Sequence, residues 1–204
     1  MQQESQSQTI MTSRRGVLRR ARLGCLALAT AWLCACASLP NDAPVVEQLD
    51  EETGLTIARL GRPLELYRDT FRRDNPGKFA FLGPFETNQM GTRELYLWIA
   101  IPLEDPAASV TPHLSVNGTA LDLPAPGRGP DAAGLQHSPY RIPMSWIAMF
   151  YYRIDGDLTA KLGEAHTIQI EATEATRSGP ITTTYSVEVA QDPRLREFAA
   201  RQSH

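Results

Sequence analysis

From Leu55 onward the apolar positions recur mostly with a period of two, the spacing of strands with one buried face. Arg93–Ile101 is the clearest case, with Leu95, Leu97, Ile99 and Ile101 on one face. Leu55 and Ile57, then Leu64 and Leu66, mark two strands on either side of Gly61-Arg62-Pro63. Lys78 to Asn88 carries Phe79 and Phe81 and is predicted to break at Gly83-Pro84. His113–Val116, Asn117-Gly118 and Thr119–Leu123 read as a hairpin, because Asn-Gly takes positive φ at both central turn positions. Met144–Ile154, His166–Thr173 and Ile181–Ala190 complete the strands, the last two flanking a hairpin loop at Glu174–Pro180.

Helical signals are short. Asp157–Leu162 predicts a helical turn closed by Gly163. Asp192 as N-cap and Pro193 at the first helical position predict a short helix reaching Ala200. About seven or eight antiparallel strands with a C-terminal helix predict an all-β sandwich over residues 53–204. The helical turn before the His166 strand resembles the crossover between sheets in immunoglobulin-like sandwiches, which implies that arrangement here.

Two strands are apolar on both faces, which a strand with one wet face is not. Opposite the leucines and isoleucines, Arg93–Ile101 carries Tyr96, Trp98 and Ala100; Met144–Ile154 adds Trp146, Phe150 and Tyr152. Two covers suit this second apolar surface. One is the C-terminal helix, through Leu195, Phe198 and Ala199 at i, i+3, i+4 spacing; the other is a protein partner, since aromatic residues are enriched in interface cores. Tyr96, Trp98, Trp146, Phe150 and Tyr152 are therefore the candidate interaction face.

Pro124–Pro143 is 20 residues without apolar period, rich in Pro and Gly. Loops of this length are functional or disordered more often than short ones. Arg128, His137, Tyr140 and Arg141, with Ser138, form a candidate polar recognition set; the alternative is an inert crossover between sheets.

Other chemistry finds little support. His113, His137, His166 and His204 lack the close spacing of metal ligands, and Asp155-Gly156-Asp157 lacks the third acid and terminal Glu of a calcium loop. No Gly-x-Ser-x-Gly or phosphate-binding Gly-rich loop occurs, and Glu51-Glu52 and Glu104-Asp105 fall in polar linkers. No catalytic residue, metal or cofactor is expected.

The N-terminus follows another pattern. Arg14, Arg15, Arg19, Arg20 and Arg22 stand against a single Glu4, followed by 11 uncharged residues from Leu23 to Leu33. Leu33-Cys34-Ala35-Cys36 resembles the lipobox of bacterial lipoproteins, where cleavage before the cysteine frees it for lipidation. The resemblance implies a signal peptide over residues 1–35 and a diacylglycerol on Cys36. The alternative is an uncleaved anchor, since the uncharged run stretched to Leu39 reaches 17 residues, the lower limit of the ~17–25 needed to span a bilayer. Ser13-Arg14-Arg15-Gly16-Val17-Leu18-Arg19 also resembles the twin-arginine export signature, departing from it at Val17 and Arg19; the alternative is an arginine-rich general secretory signal. Ala37 and Ser38 after the cysteine, rather than Asp, imply outer-membrane delivery with the domain facing the periplasm.

Residues 36–204 carry 15 Lys and Arg against 22 Asp and Glu, a formal net charge of −7 with no basic concentration, which argues against nucleic acid as a partner. Cys25, Cys34 and Cys36 all lie in or at the end of the signal, so the mature domain has no disulfide. Residues 37–52, with two Pro and no period, read as a tether of 16 residues, with a typical reach of ~20–24 Å. The expected function is that of a non-enzymatic envelope lipoprotein acting as an interaction or structural module for an unidentified envelope protein. The alternative is a small-ligand or glycan binder using the 124–143 loop.

Overall fold

The computed structural model describes residues 43–68, 79–105, 107–142, 146–190 and 192–202. Cys36, with Arg14, Arg15, Leu33 and Ala35, lies outside the described residues, as does His204. No helix among the described residues is long and apolar enough to cross a membrane.

The domain is an all-β sandwich; among the described residues it has two short helices, and ten strands form one antiparallel network. One leaf runs β1 (Val45–Asp50), β2 (Leu55–Leu60), β4 (Phe79–Gln89), β5 (Thr92–Pro102) and β8 (Ile147–Ile154). The other runs β3 (Leu64–Arg68), β10 (Gly179–Glu188), β9 (Thr167–Thr176), β6 (Ser109–Val116) and β7 (Thr119–Ala120). β3 joins the leaves by pairing with β4 on one side and β10 on the other. β5 and β8 are neighbours in the first leaf while β6 and β9 are neighbours in the second, so the chain crosses between leaves in Greek-key fashion.

The Asn117-Gly118 turn has φ of 51° and 76°, as the hairpin requires, and the Asn117 carboxamide oxygen also accepts the backbone N–H groups of His166 and Thr167. α1 (Gly156–Gly163) carries the chain from β8 to β9. Asp155 caps it by accepting the Leu158 N–H at 2.8 Å, which gives that acidic pair a structural task. α2 (Pro193–Arg201) is capped by Asp192, which accepts the Arg194 N–H at 2.8 Å and its guanidinium at 2.7 Å. Burial alone would raise the Asp192 carboxyl pKa, but these Arg194 hydrogen bonds outweigh it and hold the pKa below its ordinary value. Its contribution is thus present above the ordinary aspartate range and lost as pH falls through the lowered value. Asp192→Ala is expected to lower stability by about 1 kcal/mol, measured by urea unfolding near neutral pH, with Asp192→Asn costing less because it keeps the cap.

Two strand expectations change. Residues 45–50 are not tether: β1 pairs with β2 in continuous register from Val45↔Leu60 to Asp50↔Leu55. It is an edge strand with Glu47, Gln48 and Leu49 exposed, so it lacks the alternation that marks a half-buried strand. Nor does β4 break at Gly83-Pro84; it runs through both residues. On that edge β4 changes partner, with Leu82 facing Leu64 of β3 and Phe85 facing Arg59 of β2. Gly83 and Pro84 fall at the gap between β2 and β3, where Pro84 has no ladder bond to lose.

Candidate functional site

The sheet face proposed as an interaction surface is two faces, both used internally. Directly paired residues share a face: Ile99 pairs with Phe150 and Leu97 with Tyr152, whereas Trp98 pairs with Tyr151. Phe150 and Tyr152 therefore lie opposite Tyr96 and Trp98. All four are at most 5 % exposed; only Trp146, at 62 %, is on the surface. Trp146 has φ of 68°, and its carbonyl accepts the Leu103 N–H.

The Tyr96–Trp98 face is covered by the long loop and not by the C-terminal helix. α2 packs instead on α1 and against β1 and β2, burying Leu195 and Phe198; Gly163 permits the approach of Ala199. Over the aromatic face, Phe85 stacks on Tyr96 and meets Tyr151 edge-on. Loop residues Ala133, Leu135 and Tyr140 are buried in the same core, after a short 3-10 turn at Pro130–Ala133. The Tyr140 ring lies 5.1 Å from that of Trp98. Its hydroxyl accepts the Leu60 N–H at 3.2 Å and donates to the Pro84 carbonyl at 2.6 Å, bridging β2 and β4 where Pro84 cannot donate. Gly83 makes room for it: a Cβ there would fall into the ring, 2.8 Å from the hydroxyl oxygen and closer to ring carbons. Burial pushes the Tyr140 phenol far above its ordinary pKa, against the smaller opposing effects of the Leu60 hydrogen bond, Arg59 and Arg194.

The four loop candidates separate. Arg128 closes the sandwich edge. Gly127 exchanges both backbone hydrogen bonds with Tyr151, so the Arg128 guanidinium lies 4.3 Å from the Phe150 ring centre and donates to the Val110 carbonyl in the other leaf. His137, Tyr140 and Arg141 instead line a cleft of about 710 Å³. Its other walls come from the end of β1 and the following turn (Asp50, Glu51, Glu52) and from β2 and the Gly61-Arg62-Pro63 turn after it (Arg59, Arg62). These five residues were not found from sequence, because Glu51-Glu52 read as linker and Arg62 as a turn. Only β1 pairing with β2 brings them to the loop.

Arg59 and Asp50 are held in place in the cleft. The Arg59 guanidinium donates to the carbonyls of Leu60 and Gly61 at 3.0 and 3.2 Å and sits 5.5 Å from the Tyr140 ring centre. At Asp50 burial alone would raise the carboxyl pKa, but hydrogen bonds from the Thr53 hydroxyl and the N–H groups of Glu52, Thr53 and Gln136 lower it overall. The Asp50 carboxylate accepts the Glu52 N–H at 3.1 Å, closing the β1–β2 turn. His113 and His166 are exposed elsewhere, and no group of three or more His, Cys, Asp or Glu suited to a metal occurs among the described residues. The chain matches no family model, no curated protein and no solved structure.

Proposed function

We propose that the chain is a lipid-anchored protein of the bacterial cell envelope, held at the outer membrane through Cys36, whose domain is a non-enzymatic binding module. The address rests on the basic and apolar N-terminus ending in Leu33–Cys36. The binding reading rests on the cleft between loop residues 137–141 and the β1–β2 hairpin, a concave site lined by polar groups. It favours a small polar ligand or glycan over docking through a sheet face, because the aromatic residues that would form such a face are buried. A protein partner is the second reading, favoured by β1, whose outer edge is unpaired among the described residues and could accept an added strand.

Cys36→Ala is expected to move the chain from the membrane to the soluble fraction and to remove the lipid mass from its N-terminal peptide. Unchanged membrane retention without lipid would overturn the anchor. A photo-crosslinking residue at position 137 is expected to capture a ligand in intact cells, whereas one at exposed position 182 is not. Equal capture from both positions would count against the cleft.

A further inference from the structure

The cleft lining is divided by charge. Asp50, Glu51 and Glu52 stand at the turn end of the β1–β2 hairpin, Arg59 and Arg62 toward its other end, and Arg141 on the loop. Among the described residues, Glu51, Glu52 and Arg141 are exposed and none forms an ion pair, so these three side chains do not neutralise one another there. A purely anionic ligand would meet the carboxylates, and a purely cationic one the guanidinium groups. Either would be desolvated beside groups of its own sign, which is unfavourable. A molecule carrying both charges can satisfy both sets. The Arg fork matches a carboxylate in two-pronged fashion, whereas a carboxylate side chain accepts readily from a compact ammonium. Arg59 is fixed by two backbone carbonyls and the Tyr140 ring, so holding it in place adds little entropy cost on binding.

We propose that the cleft binds a dipolar ligand with a carboxylate and an ammonium on one molecule, as an amino acid or the two ends of a short peptide supply. The carboxylate goes to the Arg59 and Arg141 side and the ammonium to the Glu51 and Glu52 side. This rests on the reading of the cleft as the contact site.

The test is an NMR titration of the full chain in detergent with triglycine, its C-terminal amide, its N-acetyl form and the N-acetyl amide, alongside the neutral trisaccharide maltotriose. Triglycine is expected to bind about tenfold or more tightly than either singly charged form, as loss of one charge-assisted contact implies. Arg141→Gln should remove the preference for the free carboxylate, and Glu51→Gln with Glu52→Gln the preference for the free ammonium. Equal binding of all four peptides, or tightest binding by a singly charged form, overturns the dipolar proposal while leaving the cleft in use. Binding of maltotriose alone does the same. Failure of every probe to perturb the cleft counts against both the proposal and the cleft reading.

Discussion

Gly83→Ala is expected to lower the stability of the domain by about 3–5 kcal/mol, the scale of truncating a buried aromatic residue. The added methyl group cannot coexist with the Tyr140 ring, and β4 is held against β5 at Gly83 and against β3 and β2 at the flanking Leu82 and Phe85, so it has little room to retreat. The accommodating change is expulsion of Tyr140. That orphans the Leu60 N–H and the Pro84 carbonyl and uncovers Trp98, which is fully buried. Each orphaned backbone group costs about 1–3 kcal/mol. Urea unfolding measures the loss, and a red shift of tryptophan emission reports the uncovering. A double-mutant cycle isolates the cause: in a Tyr140→Ala background, Gly83→Ala should cost little, because the ring it displaces is gone. Additive effects of the two substitutions would overturn this account of the strand.

Raising the pH above 10 is expected to unfold the domain within about two pH units, well before any chemical damage. Burial raises the phenol pKa of Tyr96, Tyr152 and Tyr185 to about 12 each, with a hydrogen bond to Glu94 adding to the effect at Tyr96. Burial raises Tyr140 further still and Tyr151 in the same direction. A folded pKa above the unfolded one gives stability that is full below about pH 10 and lost as pH rises through the folded values. Each phenol neutral in the fold and ionised in the unfolded chain removes about 1.4 kcal/mol per pH unit. Several acting together reach the usual margin of about 5–15 kcal/mol. Circular dichroism against pH should show a cooperative loss of strand signal coinciding with the rise of tyrosinate absorbance. Titration of all the tyrosines near pH 10 with the fold intact would contradict the burial described here.

The parts of the fold governed by local rules were legible in the sequence. Alternation in β5, the Asn117-Gly118 turn and the Asp192-Pro193 helix start each depend on a few neighbouring residues. β1 was not legible, because an edge strand with three consecutive exposed positions has no apolar face to betray it. Gly83-Pro84 misled because its meaning is tertiary: the glycine receives a ring, and the proline sits where a ladder bond is already absent. The aromatic excess of β5 and β8 was read correctly as needing a cover. Its source was missed because the covering loop has no period of its own, its grip resting on Tyr140 and a few small apolar residues. Of the candidate site, His137, Tyr140 and Arg141 were anticipated, while their charged counterparts lay in segments read as linker and turn.

The seating of Tyr140 over Gly83 also has an evolutionary consequence. Neither position can change freely: a larger residue at 83 evicts the ring, and a smaller one at 140 strands a tryptophan and two backbone groups. Drift at this pair must pass through a deep fitness valley, so the two sites should be inherited together. In homologous chains, glycine opposite an aromatic hydroxyl residue should persist even where the cleft beside it has been rewritten for another ligand.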